Sequence, residues 1–340
     1  MNRGTNLQPV ESLFASFDPK LVKPQTQHTV ARDVKTASMQ NWNLGIEHQV
    51  VQDLLIELNY QGSKGTHLAS FLSTNDPPPG PGDVDPRRPF PIAGSISELK
   101  AIATSKYHAL TAKVDKRFAR GFSILGSYAW SHAIDLNSEF GGTSPQDNRN
   151  IRADLANSGF DQRHVANISY SWELPFGKGL RGIAKHVLYG WEVTGINTFE
   201  TGRPSNVTLG FDNANVGARG NFQRPNLVGN PFPSGFQQTA GRNGLWFNTG
   251  AFAVPAQYTF GNLGRNTLRG PNFLNTDFGI FKNFALRENV GLQFRSEFFN
   301  LFNDTNFGNP VTTFNSPNFG KVLGMASLQR QIQFALRLVY

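Results

Sequence analysis

The stretch Asn41-Trp42-Asn43-Leu44-Gly45-Ile46-Glu47-His48-Gln49-Val50 decides the fold. Trp42, Leu44, Ile46, His48 and Val50 alternate with Asn, Gly, Glu and Gln. Successive side chains of a strand point to opposite faces, so this spacing gives one largely apolar and one polar face, and no 3.6-residue period fits it. A partner follows at once, with Leu54, Ile56, Leu58 and Tyr60 on one side and Leu55, Glu57, Asn59 and Gln61 on the other. The pair reads as a hairpin.

The same signature recurs outward from this hairpin. His108, Leu110, Ala112 and Val114 alternate with Lys113, Asp115 and Arg117, and Phe122, Ile124, Tyr128 and Trp130 with Ser123, Ser127 and Ser131. Further stripes are Ala166, Ile168, Tyr170, Trp172; then Tyr189, Trp191, Val193, Phe199; then Leu274, Phe278, Ile280, Phe284; then Val290, Leu292, Phe294, Phe298. The last is Ile332, Phe334, Leu336, Leu338, Tyr340. About nine strong strands result, each longer than the five to six residues usual in soluble sheets and suited to a tilted membrane strand.

Connections alternate in length. Short ones lie near Val51, near Arg120, at 175–186 and at 285–289; long ones run over 63–105, 133–162, 201–271 and 303–330. Structureless links that long are unusual in a compact soluble domain but normal in an outer-membrane barrel, with short periplasmic turns and long extracellular loops. The expected fold is therefore all-β, an antiparallel transmembrane β-barrel. Following strand direction from the short turns makes residues 1–38 an extracellular loop and leaves 39–340 as barrel strands with long loops. Closure then needs a strand before residue 39, so the chain reads as a partial barrel of about nine to eleven strands.

Composition narrows the function. The 340 residues contain 32 Lys+Arg and 24 Asp+Glu, a net charge of +8, and no cysteine. Disulfide scaffolds, thiolate zinc sites and cysteine catalysis are thereby excluded. No run of about 18 apolar residues exists to make a membrane helix. Residues 1–17 hold one basic residue, Arg3, and no continuous apolar run, unlike a secretory leader. Basic residues are scattered without a stripe, which speaks against nucleic acid; in loops they suit anionic lipopolysaccharide or an anionic ligand.

Three sets of residues are candidates for function. Glu57, Asn59, Lys113, Asp115, Arg117, Arg295 and Glu297 would face the lumen. Asp135, Asn137, Glu139, Arg149, Arg152, Asp154 and Arg163, with Asp161 and His164 nearby, sit in one predicted extracellular loop and could meet a ligand, or simply form a solvated loop. Trp42, Tyr60, Tyr128, Trp130, Tyr170, Trp172 and Trp191 share the apolar face and would form aromatic girdles at headgroup depth. A soluble β-sandwich with these rings in its core, serving as a surface or adhesion protein, is the competing reading. A small passive pore is a third.

The end of the chain, Arg330-Gln331-Ile332-Gln333-Phe334-Ala335-Leu336-Arg337-Leu338-Val339-Tyr340, resembles the C-terminal strand of bacterial outer-membrane proteins, whose alternating apolar residues (here Ile332, Phe334, Leu336, Leu338) and terminal aromatic (here Tyr340) are read by the barrel-assembly machinery. More specifically, Gln40-Asn41-Trp42-Asn43-Leu44-Gly45, Phe260-Gly261-Asn262-Leu263-Gly264-Arg265-Asn266 with Leu268-Arg269-Gly270-Pro271, Phe281-Lys282-Asn283-Phe284 and Phe294-Arg295-Ser296-Glu297-Phe298-Phe299-Asn300-Leu301-Phe302-Asn303 resemble the barrel of Oar-like TonB-dependent receptors. That resemblance implies a 22-stranded barrel around a plug, energised by TonB, importing bulky nutrients such as iron chelates, oligosaccharides or peptides. The chain would supply the C-terminal part of such a barrel, without plug or signal peptide. Outer-membrane lipid, lipopolysaccharide, the assembly machinery, TonB through the plug and an unknown transported ligand are the implied partners.

Other motifs are weak. Gly177-Lys178-Gly179-Leu180-Arg181-Gly182 matches a dinucleotide fingerprint, but lacks the buried parallel strand before it and the long helix after it, and is read as a turn. Asp135-Leu136-Asn137-Ser138-Glu139 begins like a calcium loop, yet Phe140 stands where the bend needs glycine. The seven histidines never fall at metal-ligand spacing, so neither cofactor, metal nor catalytic centre is expected.

Overall fold

The computed structural model describes residues 26–139, 145–217, 222–287 and 290–340. In chain order the strands are β1 (Gln27–Val30), β2 (Ser38–Val51), β3 (Leu54–Ser73), β4 (Ile96–Ala119), β5 (Phe122–Asp135), β6 (Ala156–Asn157), β7 (His164–Glu173), β8 (Trp191–Glu200), β9 (Pro204–Ser205), β10 (Asn226–Leu227), β11 (Phe252–Ala253), β12 (Leu268–Arg269), β13 (Phe273–Arg287), β14 (Val290–Phe299) and β15 (Gln331–Val339). A helix, α1 (Gly182–Leu188), lies between β7 and β8. No helix among the described residues is long and apolar enough to cross a membrane, which says nothing about crossing by strands.

Nine long strands form one sheet in the order β15-β14-β13-β8-β7-β5-β4-β3-β2, with β1 and β6 added at its margin. All neighbours along this path are antiparallel. Among the described residues β2 and β15 are not paired with each other, so the sheet is open. The fold is an all-β antiparallel barrel sheet, as the alternation predicts.

Register makes the two faces continuous. Glu47 pairs with Glu57, Glu57 with Lys113, Lys113 with Ser127, Ser127 with Asn167, Asn167 with Thr198 and Thr198 with Asn275: a polar row across seven strands. One step along, Ile56, Val114, Gly126 and Ile168 form a row on the opposite face. Burial is inverted relative to a soluble sheet. Ile56 and Leu58 are 41% and 44% exposed, while Glu57 and Asn59 between them are half-buried.

The sheet curls around the polar face. A cavity of about 560 Å³ is lined by Asp115, Ser123, Ser171, Thr194, Asp277 and Glu297, drawn from six successive strands. Local chemistry explains the joints. Arg120 and Gly121, both at positive φ (55° and 83°), make the two-residue link from β4 to β5, and this backbone twist suits a tight hairpin. Gly62 and Gly195 lie beneath the rings of Trp42 and Tyr170 on neighbouring strands, where any Cβ would collide with the ring.

Three expectations are corrected. Residues 63–105 are not one long loop: β3 and β4 stay paired up to Ser73 and Ser97, extending well past the other strands. Within the segment 1–38 expected to be a loop, Gln27–Val30 forms a strand pairing in parallel with Ile96–Leu99; residues 1–25 lie outside the described ones. The connection at 175–186 holds α1 rather than a bare turn, although β7 and β8 are antiparallel and so exclude a dinucleotide fold.

Among the described residues the main hydrophobic cluster lies in the long connections. Val207, Phe247, Ala251, Phe252, Leu263 and Leu268 are buried together, with Phe247, Phe252 and Phe319 mutually edge-on at 5.2–5.7 Å. The described residues of the connections at 201–271 and 303–330, expected to be loops, thus pack as a folded cap at the long-loop end.

Candidate functional site

The polar wall is built from strand neighbours. Lys113 donates to Glu57 at 3.0 Å and lies 3.9 Å from Asp115. Asn59 is one position along the same face of β3 and is half-buried. Arg117 follows near the β4–β5 turn, exposed, and lines the 560 Å³ cavity with Asp115 and Glu297. Arg295 binds Glu297 at 2.8 Å and sits over the Phe281 ring at 4.7 Å. Opposite charges set side by side on one face allow a polar wall to be lined without isolated buried charges.

The cap is tied to the loop after β5 by three carboxylate clusters. Asp135 is bound by Arg265 and by the Ser138 hydroxyl. Asp154 is bound by Arg224 and accepts the backbone N–H of Gln146. Asp161 gathers Arg163, Arg269, His132 and the N–H of Ala133. All three carboxylates are buried. Burial by itself would raise the Asp161 pKa, but the Ala133 N–H, His132, Arg269 and Arg163 outweigh it and hold the carboxyl below its ordinary range.

The candidates in this loop are thereby separated. Asp135, Asn137 and Glu139 line a cleft of about 470 Å³ with Ser158 and Phe160. Arg149, ion-paired to Asp147, lines another of about 330 Å³ with Asp76 and Asn148. There burial raises the Asp76 carboxyl above its ordinary range, more than Ser73, Arg88 and Asn148 lower it. Asp154 is sealed against Arg224, Arg163 belongs to the Asp161 cluster, and Arg152 is exposed. His164 points elsewhere, its Nδ1 bonded to the Tyr128 hydroxyl at 2.7 Å. Phe140 lies outside the described residues, and the Asp135 carboxylate has an arginine as its partner.

Arg224, Arg265 and Arg269 were not singled out by sequence as site residues. Their partners lie 70, 130 and 108 positions away, so no local spacing marks them. The only signal was the Phe260-to-Pro271 motif, which contains two of them.

The opposite face carries the aromatic residues at two levels. Trp42, Tyr60, Tyr128 and Trp130 gather toward the long-loop end, with Tyr60 bonded to His108 at 2.8 Å just as Tyr128 is to His164. Tyr170, Trp172 and Trp191 lie toward the short-turn end, Trp172 opposite Phe122. From Trp130 to Phe122 is about 27 Å along the strand, or about 20 Å of height at a tilt of ~40°. On β15, Ile332, Phe334, Leu336 and Leu338 continue this face opposite Phe298, Ser296, Phe294 and Leu292, with Tyr340 exposed beyond them.

The family model for the outer membrane beta barrel domain matches residues 3–333. No curated protein matches the chain. Among solved structures it is similar to the outer membrane transporter YddB from Escherichia coli, at 12% identity and a TM-score of 0.49 over 93% of this chain and 34% of that one. It is also similar to the pyoverdine outer membrane receptor FpvA from Pseudomonas aeruginosa PAO1, at 11% identity and a TM-score of 0.47 over 90% and 30%. A variant of the ferric enterobactin receptor PfeA from Pseudomonas aeruginosa gives 13% and 0.44 over 90% and 31%. The chain spans about a third of the length of these proteins. By its family match over nearly its whole length, the chain belongs to the outer membrane beta barrel domain family and is a protein of the outer membrane.

Proposed function

We propose that the chain forms barrel wall and extracellular cap of a TonB-dependent transporter that imports a bulky nutrient, such as an iron chelate, an oligosaccharide or a peptide. The observation that supports this is the pairing of a charged concave wall with a folded cap at its long-loop end, locked by Asp135–Arg265, Asp154–Arg224 and Asp161–Arg269. A passive pore needs no ordered cap, and a secreted adhesin needs no apolar face on its sheet. Ligand capture falls to the clefts beside Asp135 and Arg149, and passage to the wall at Glu57, Asn59, Lys113, Asp115, Arg117, Arg295 and Glu297. The remaining strands of the wall pair with the open edges of β2 and β15, and a plug supplies contact with TonB. Neither wall nor cap calls for catalysis.

The test is uptake. A strain lacking the gene should lose energy-dependent accumulation of one such nutrient class, and the restored gene should return it unless the proton-motive force is dissipated. Unchanged uptake across iron chelates, oligosaccharides and peptides would sink the proposal. A ligand-independent conductance in planar bilayers would point to the passive pore instead.

A further inference from the structure

Helix α1 (Gly182–Leu188) has no core to support it. Ile183 and Val187, four residues apart and so on one stripe, are 83% and 56% exposed, and Phe176 and Leu180 just before them are exposed as well. Between residues 174 and 190 the sequence has no acidic residue but carries Lys178, Arg181, Lys185 and His186; Glu173 and Glu192, on the polar face of β7 and β8, flank the segment and line one cavity with Lys178, Lys185 and His186. None of these four forms an ion pair with a described residue; Lys185 only overlies the Tyr189 ring at 5.9 Å. In water, a seven-residue helix with bare apolar side chains and unpaired cations would be unstable.

Its attachment shows which side of the wall it occupies. The indole N–H of Trp191, on the apolar face of β8, donates to the carbonyl of Val187 at 2.8 Å. Lys282, on the apolar face of β13, donates to the carbonyl of Tyr189. The C-terminal end of α1 is therefore fastened to the membrane-facing side of the sheet, at the level of the short-turn aromatic residues.

We propose that α1 is an interfacial anchor: Phe176, Leu180, Ile183 and Val187 enter the periplasmic leaflet, and Lys178, Arg181 and Lys185 bind phosphates of anionic phospholipid. Continuity with the apolar face argues for a bilayer as the occupant, and the net positive charge of the segment, whose cations form no ion pair with Glu173 or Glu192, argues for an anionic one. The inference rests on reading the sheet as membrane-spanning with its short turns in the periplasm.

Because the chain has no cysteine, Ile183→Cys gives a single labelling position. The purified full chain, labelled there with an environment-sensitive fluorophore, is reconstituted in phosphatidylcholine vesicles with and without phosphatidylglycerol. Spin-labelled lipid should quench the probe and aqueous iodide should not, and phosphatidylglycerol should strengthen the lipid quenching several-fold. Lys178→Gln with Arg181→Gln and Lys185→Gln should remove that lipid preference. A second labelled variant, Leu58→Cys, reports on the sheet. Iodide quenching at 183 with lipid shielding at 58 would overturn the anchor and leave the membrane-facing assignment of the sheet standing; iodide quenching at both would overturn that assignment and the anchor together. Shielding at 183 that appears only with periplasmic extract would assign the helix to a protein partner and overturn the proposal.

Discussion

Asp154 and Arg224, 70 positions apart, form an ion pair in which the side chains are only 6% and 2% exposed. Arg224 also donates to the Leu263 carbonyl, so one guanidinium joins the loop after β5 to two parts of the cap. Removing one member of a buried pair leaves the other charge desolvated and alone, at a cost of about 3–5 kcal/mol. Arg224→Met should therefore loosen the cap without unfolding the sheet. Hydrogen exchange should accelerate across 205–270 while β3, β4 and β5 keep their protection. Adding Asp154→Asn should recover part of the loss; equal exchange in both variants would show that the pair does not hold the cap.

Asp161 makes the same junction sensitive to acid. Its folded-state carboxyl titrates below the ordinary value, so an unfolded cap binds the proton first as pH falls. The stabilisation is complete above the ordinary carboxylate range, near pH 4, and is lost as pH falls through the lowered value. Limited proteolysis of the loops should show them resistant from neutrality down to about pH 4 and labile below it. Asp161→Asn should be labile at neutral pH and show a flatter acid limb. An unchanged acid limb in this variant would remove Asp161 as its source.

Ile56 stands midway between the two aromatic levels, because its row passes through Val114 and Gly126, four residues from both Trp130 and Phe122. A charge at that depth costs about 2–4 kcal/mol for Arg, whereas near the interfaces the cost falls to about 0–1. Ile56→Arg should block stable insertion, read as loss of the heat-modifiable band in outer-membrane fractions. Trp130→Asp, at the aromatic level toward the long-loop end, should impair insertion less. Glu57→Gln, one residue along but on the polar wall, should insert normally. Equal insertion of Ile56→Arg and Glu57→Gln would reverse the assignment of faces.

The strands were legible because lipid on one side and a polar wall on the other impose a strict period of two, visible in every stripe from Trp42 to Leu338. Legibility ended where that demand ended. Past Ser63, Gly65 and His67 break the alternation at a bulge, His67 adopts φ of 55°, and so the paired extension of β3 and β4 looked like loop. Three glycines at 177, 179 and 182 hid α1, a helix that depends on its surroundings rather than on propensity. The cap was invisible for a different reason: Phe247, Phe252 and Phe319 meet only through tertiary folding, and Arg224, Arg265 and Arg269 find their acids across 70 to 130 positions. The ligand candidates Asp135 and Arg149 line two different clefts, and spacing in the sequence does not distinguish an exposed charge from one already paired.

The ring of Tyr170 lies against Gly195 on the next strand, in the space where a Cβ would otherwise stand. Gly195 is in ordinary extended backbone rather than at positive φ, so its need for glycine comes from the ring alone. Gly195→Val should then cost about 1–3 kcal/mol through overpacking, despite valine's better strand propensity. Removing the ring should change the sign of that effect: in a Tyr170→Ala background the valine has room, packs on the apolar face, and should be neutral or favourable. Urea unfolding in detergent micelles of the two single variants and the double variant gives the coupling directly, expected within about 0.5–3 kcal/mol. Additive costs would mean that the ring moves aside freely and that the glycine serves some other purpose.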